Sequence, residues 1–259
     1  MPTTAHTKPL VLANWKMNLS VQESVVLARN LAAAYSKLKL KEHLELVLCP
    51  TFPALAPVAE VLKRQSVCLG AQDVFWKPVG PYTGEVSARV LKELGVTHVI
   101  IGHSERRQFL KESDAMVQQK VLATLAEGIT PVLCVGETFS ERQTGQKYLV
   151  IARQVASALA GVTLTSGLGL VIAYEPVWVI GSGQAVETHE AQETALVIRH
   201  TLLDVFSEST IARQVRIIYG GSVDPVNIGN FVGRGLLAGV LVGGASLEAK
   251  RFTNLMKKL

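Results

Sequence analysis

The chain has 259 residues, 48% of them hydrophobic and 18% charged, a balance that supports a large packed core and excludes an intrinsically disordered chain. Lys and Arg number 26 against 21 Asp and Glu, for a formal net charge of +5. The cations are spread out and form no block, so a small anionic partner is expected and nucleic acid is not.

The longest apolar runs, such as Leu170 to Ala173 and Leu236 to Val242, fall far short of the ~20 residues that span a bilayer, so no membrane-spanning helix is expected. Met1 to Lys8 is polar and lacks the apolar core of a secretory signal. Three cysteines, Cys49, Cys68 and Cys134, cannot all pair. Together these features predict a cytoplasmic protein.

Taken in order, the chain alternates short Val-, Ile- and Leu-rich runs with helical stretches, the pattern of a parallel sheet buried on both faces. The first strand is expected at Leu10 to Asn14 and a helix over Ser20 to Lys37, where Leu27, Leu31 and Ala34 recur at 3- and 4-residue spacing. Asn14 and Lys16 leave the strand two residues apart, so an amide and an ammonium can point the same way, toward a phosphate or a developing oxyanion. A lone lysine would by default be solvated. Glu45 to Cys49 and Val67 to Ala71 are the next strands. From Gln72 to Glu85 neither periodicity persists, yet Phe75, Trp76, Tyr82 and Thr83 sit in this loop. Such aromatic surface predicts burial against a second copy of the chain, a homodimer whose contacting loop carries Gln72, Thr83 and Glu85; folding back on its own barrel is the competing reading.

The fourth strand, His98 to Ile101, runs into Gly102-His103-Ser104-Glu105-Arg106-Arg107. His103 stands where strand becomes helix. Amide donors and the positive end of the helix dipole disfavour a second proton there, so a neutral imidazole able to polarise a carbonyl or shuttle a proton is expected; alone, it would read as a capping or core histidine. A helix over Ser113 to Glu127 and a strand over Thr130 to Val135 follow, ending in Gly136-Glu137. Glu105 and Glu137 are candidates for holding Lys16 and His103 in place. Cys134, within Val132-Leu133-Cys134-Val135, is expected to pack behind the site, and no serine stands in a Gly-x-Ser-x-Gly elbow.

After a helix over Ser140 to Leu159, the sixth strand, Leu170 to Tyr174, delivers Glu175 to its mouth. The loop Pro176 to Gly183 starts with a fixed backbone angle, ends in glycines, and carries Val177, Trp178 and Ile180, which need an apolar surface to cover. It reads as a lid over a base, closing to exclude water; an ordinary loop beside a solvated carboxylate is the plainer alternative. Beyond a helix over His189 to Ser207, strands at Arg216 to Tyr219 and Gly239 to Val242 end in Gly220-Gly221-Ser222 and Gly243-Gly244-Ala245-Ser246, before a closing helix over Leu247 to Lys258. One Gly-Gly is usually a turn; two at successive strand ends favour a phosphate cradle of backbone amides. No Walker loop or dinucleotide fingerprint is present, so a small phosphorylated substrate without a nucleotide is expected. The other five histidines form no ligand pair, so no metal is expected either.

Eight such units close into a (β/α)8 barrel, an α/β fold of eight parallel strands ringed by helices, forming one domain over residues 1–259. In such barrels chemistry gathers at the carboxyl ends of the strands, where Asn14, Lys16, Gln72, Asp73, His103, Glu105, Gly136, Glu137, Glu175, Gly220 to Ser222, Gly243 and Gly244 fall.

Asn14-Trp15-Lys16-Met17-Asn18, Gly70-Ala71-Gln72, Tyr82-Thr83-Gly84-Glu85, Ile101 to Arg107, Cys134-Val135-Gly136-Glu137, Ala173 to Trp178, Tyr219-Gly220-Gly221-Ser222 and Leu241 to Leu247 occur in the order of the triosephosphate isomerase family, which the chain resembles along essentially its whole length. The resemblance implies a TIM barrel that interconverts dihydroxyacetone phosphate and glyceraldehyde 3-phosphate without a cofactor, through an enediolate. It implies Glu175 as base, His103 as the neutral polarising group, Lys16 as the stabiliser of negative charge and Asn14 as an orienting amide, with amides of Gly181, Ser222, Gly243 and Gly244 on the phosphate. Thr83 would reach the partner's site. Departures from the common pattern, at Ala13, Asp73, Pro81, Val179, Ser182 and Gln184, remove no catalytic group. A different phosphate-binding barrel, such as a sugar-phosphate epimerase, would share Gly243 and Gly244 without requiring Lys16, His103 and Glu175; a silent binding protein on the same scaffold would be expected to lack one of the three.

Overall fold

The structure, a computed structural model, describes residues 8–179, 184–233 and 235–259. Its eight strands are β1 (Leu10–Asn14), β2 (Glu45–Cys49), β3 (Cys68–Ala71), β4 (Val96–Ile101), β5 (Thr130–Val135), β6 (Leu170–Tyr174), β7 (Val215–Tyr219) and β8 (Leu237–Val242). Each pairs in parallel with the next, and β8 pairs back onto β1, with Leu10 opposite Gly239 and Ala13 opposite Val242, so the sheet is a closed barrel. The strands expected from apolar runs are therefore all present, displaced at most two residues at their starts.

Around the barrel lie α1 (Val21–Lys37), α2 (Phe52–Leu62), α3 (Ala88–Glu93), α4 (Ser104–Phe109), α5 (Asp114–Ala126), α6 (Phe139–Gln143), α7 (Lys147–Leu159), α8 (Thr188–Leu203), α9 (Glu208–Gln214), α10 (Ile228–Phe231) and α11 (Ala249–Met256). Their starts are set by local chemistry. At α1 the Ser20 hydroxyl accepts from the Glu23 amide while the Glu23 carboxylate accepts from the Ser20 amide, each satisfying a donor the helix leaves open. The stretch Ser140 to Leu159 is not one helix. Gly145 takes a left-handed φ of 72°, which separates α6 from α7.

Strand alternation builds two apolar layers. One set, including Leu12, Val47, Ile100, Val132, Ala173, Ile218 and Leu241, fills the barrel, and a larger set packs between barrel and helices. The barrel floor, at the amino ends of the strands, is polar. There Arg216 of β7 makes two hydrogen bonds to the Glu45 carboxylate of β2, at 3.0 and 2.9 Å. A cavity of about 710 Å³ opens on this floor. Its polar groups answer one another: besides the Arg216–Glu45 pair, Gln214 donates to the carbonyls of Thr165 and Leu168. The loop after β3 is pinned at its base by the Phe75 amide donating to the Val86 carbonyl at 2.8 Å. Its rings pack against each other at a tilt, Phe75 lying 4.0 Å from Trp76 and 4.7 Å from Tyr82 between centroids.

Candidate active site

At the opposite, carboxyl end, a cavity of about 270 Å³ is lined by residues of five strand ends, among them Asn14, Lys16, His103, Glu175, Gly220 to Ser222, Gly243 and Gly244. Glu175 is 2% exposed, and its surroundings fix it closely. Its amide donates to the Val135 carbonyl at 2.7 Å. A Cβ on Gly136 would overlap the Glu175 carbonyl oxygen, and one on Gly220 would lie 2.8 Å from the Glu175 Cγ. Both neighbours must therefore be glycine for the carboxylate to sit where it does. One carboxylate oxygen accepts from the Ser104 amide at 3.1 Å, and the other lies 3.2 Å from His103 Nε2.

His103 caps the amino end of α4, its Nδ1 accepting from the Glu105 amide at 3.2 Å. A nitrogen that accepts from an amide carries no proton, so the ring is neutral with its hydrogen on Nε2, directed at Glu175. Lys16 holds a left-handed φ of 51°, unusual for a residue with a side chain, and its Nζ lies 2.5 Å from Glu105 Oε1. The Asn14 side chain accepts from the Lys16 amide at 3.1 Å. Gln72 ties the neighbouring loop down by donating to the carbonyls of Lys16 and Cys49, both at 2.9 Å. Gly243 packs beside Lys16, whose Cε would be 3.4 Å from a Cβ placed there. The structure thus brings together an acid, an imidazole and an amine that are remote in sequence, with glycine pairs along one wall. Such a set can abstract a proton next to a carbonyl and hold the resulting oxyanion.

Residues 9–259 match the family described as triosephosphate isomerase. The chain is 44% identical over 249 residues to the triosephosphate isomerase of Caldanaerobacter subterraneus subsp. tengcongensis, covering 96% of this chain and 98% of that one. It is 43% identical over 250 residues, with the same coverage, to that of Endomicrobium trichonymphae. The crystal structure of triosephosphate isomerase from Bartonella henselae superposes with a TM-score of 0.83 at 35% identity, covering 97% of this chain and 98% of that one.

The chain belongs to the triosephosphate isomerase family.

Not every expected site residue sits where the sequence suggested. Glu105 pairs with Lys16 and donates its amide to His103 Nδ1, but Glu137 contacts neither. It is wholly buried at the foot of the expected lid, where its Oε1 accepts from Trp178 Nε1 at 2.9 Å and from the Tyr174 hydroxyl at 3.3 Å, and its carbonyl accepts from the Val177 amide. Burial raises its pKa, an effect the Trp178 hydrogen bond partly offsets. Arg142 stacks 4.4 Å above the Trp178 ring while pairing with Glu190, a group the sequence reading did not single out. Cys134 packs inside the barrel, and burial first, then the Glu175 charge, pushes its thiol pKa well up, so it stays a neutral packing group. Gly181, with Ile180, Ser182 and Gly183, lies outside the described residues.

Two further features were not legible in sequence. Asp73, Arg106, Glu112 and Lys120 close a ring of ion pairs, from Asp73 to Arg106 (2.8 Å) and Lys120 (2.6 Å) and from Glu112 to Arg106 (2.6 Å) and Lys120 (3.1 Å). Arg106 belongs to α4, so the ring anchors the helix that His103 caps. Beside the site, a second cavity of about 700 Å³ is walled by Met17, Phe52, Phe109 and Leu110, with Lys16 and His103 at its inner edge. Met17 is 92% exposed and Phe109 69%. Thr83 and Glu85 are exposed on the tip of the loop after β3. Among the described residues, no group of three or more His, Cys, Asp or Glu could hold a metal, and no helix is long and apolar enough to cross a membrane.

Proposed function

We propose that Glu175, His103 and Lys16 carry out the reaction of this chain, with Asn14 orienting the substrate. The chain interconverts dihydroxyacetone phosphate and glyceraldehyde 3-phosphate, a step of glycolysis. Glu175 takes a proton from the carbon beside the carbonyl and returns it to the neighbouring carbon. His103 polarises the carbonyl through its Nε2 hydrogen and moves a proton between the enediolate oxygens, giving it to one and recovering it from the other, while Lys16 balances the negative charge. Amides at Ser222, Gly243 and Gly244 take the phosphate, joined by Gly181 from the lid, whose closure keeps water from an intermediate prone to lose phosphate. The observation that carries this reading is the 3.2 Å approach of Glu175 to a neutral His103 in the cavity that also holds Lys16 and the glycine pairs.

The test is isomerisation of glyceraldehyde 3-phosphate by purified protein and by Glu175→Asp. Withdrawing the carboxylate by about one methylene should lower turnover ~100-fold or more, since an error near 1 Å costs that much. An unchanged rate would dismiss Glu175 as the base. A homodimer is part of the proposal: the apolar cavity beside Lys16 and His103 is suited to receive the exposed loop carrying Thr83 and Glu85 from a second copy. Gln72, bonded within its own chain, then braces that interface from behind. Three free thiols support a reducing, cytoplasmic setting, and the closed barrel supports a single domain over residues 1–259.

A further inference from the structure

We propose that Arg251 is a substrate-affinity determinant of this chain, supplying the positive charge that lets the active-site cavity accept a phosphate dianion. The inference rests on the isomerase reading above and concerns the phosphate end of the same cavity. Arg251, on the first turn of α11, lines the cavity together with Ser222, Gly243 and Gly244. Its side chain is exposed and makes no ion pair or hydrogen bond among the described residues.

The charge balance around the cavity is what assigns it a role. Among the described lining residues, the cations are Lys16 and Arg251 and the carboxylates are Glu175 and Asp224; His103 is neutral. Lys16 already faces a carboxylate at 2.5 Å, that of Glu105. Asp224 is locked into the wall, its carboxylate accepting from the amides of Val226 at 2.7 Å and Asn227 at 2.9 Å. Without Arg251, a doubly negative substrate would enter a cavity whose own lining is net negative. Backbone amides at the glycine pairs aim donors at the anion and add a local positive potential, but they carry no net charge and leave the balance of formal charges unchanged. A guanidinium at the rim can, and its planar fork suits phosphate oxygens.

The experiment is Arg251→Gln beside the charge-conserving Arg251→Lys. It reads kcat, KM, the ionic-strength dependence of kcat/KM, and binding of inorganic phosphate by calorimetry. One unit charge about 8 Å from a dianion in a wet cleft corresponds to roughly a fivefold effect. Arg251→Gln should raise KM and weaken phosphate binding by about that factor, with a smaller change in kcat. It should also flatten the decline of kcat/KM with salt, whereas Arg251→Lys keeps the wild-type slope. KM, phosphate affinity and salt slope all within twofold of wild type in Arg251→Gln would overturn the proposal, as would equal losses in both variants. A wild-type protein that binds phosphate but does not isomerise would overturn the isomerase reading instead, and the phosphate titration would still judge Arg251.

Discussion

Gly220→Ala provides a direct measure of how tightly Glu175, the proposed base, is positioned. The glycine carries no left-handed φ, so alanine suits its backbone; the difficulty is space. Its Cβ would lie 2.8 Å from Glu175 Cγ and 3.2 Å from the Tyr174 carbonyl, where carbon atoms prefer roughly 3.5–4.0 Å. The main chain cannot yield easily, because the Glu175 amide is bonded to Val135 and the Gly220 amide to Tyr174, both at 2.7 Å. The Glu175 side chain must therefore move by about 0.8 Å, away from the 3.2 Å contact with His103. If an error of 1 Å costs ~100-fold, this one should lower kcat roughly 30-fold, equivalent to about 2 kcal/mol of transition-state stabilisation. Overpacking should also cost about 1–3 kcal/mol of stability, visible as a lower urea midpoint. Steady-state isomerisation with the folded variant reads the first quantity and denaturation the second. A variant that loses the expected stability yet keeps kcat within twofold would refute the claim that this carboxylate is held to sub-ångström tolerance.

Glu105→Gln should lower kcat roughly tenfold by freeing Lys16 and loosening its geometry. Because the pair is partly exposed, stability should change by less than about 1 kcal/mol; loss of fold with no kinetic effect in the folded fraction would contradict this. At the barrel floor, burial and then the Arg216 charge lower the His98 pKa from 6.5 to about 4. Between those values the unfolded chain binds a proton that the native chain refuses, so stability is complete above pH 6.5 and declines as pH falls toward 4. Discounted for a ring that is only half-buried, the loss is about 2 kcal/mol. Urea unfolding of His98→Gln should lack that part of the slope, and an unaltered slope would rule the histidine out. Sedimentation at micromolar concentration should give a dimer, and Phe109→Glu, placed in the apolar cavity, should shift it toward monomer; a wild type that stays monomeric would remove the interface.

The barrel was legible in sequence because its strands are continuous apolar runs, as burial on both faces requires, and because unusual residues cluster at one end of them. That clustering singled out Glu175, His103 and Lys16, which the structure gathers in one cavity. What stayed hidden depends on pairing across long separations. Nothing near Glu137 announces a bond to Trp178, 41 residues on, so it was grouped with Glu105 by proximity to the site alone. The Asp73 ring likewise joins residues up to 47 apart. Gly145 was read through although no apolar spacing carries a helix across Ser140 to Lys147; its left-handed φ of 72° marks the break.

The seam between β1 and β8 carries a consequence for synthesis. The first strand to leave the ribosome pairs on one side with a segment near the other end of the polymer. Until Leu237–Val242 emerges, Leu10–Asn14 keeps a row of unsatisfied amides and carbonyls facing outward, as does whichever strand came last. A fragment lacking β8 is therefore an open ribbon with two adhesive borders, and residues 237–259 convert it to a ring with none. Pausing there would prolong the species most able to recruit a neighbouring chain.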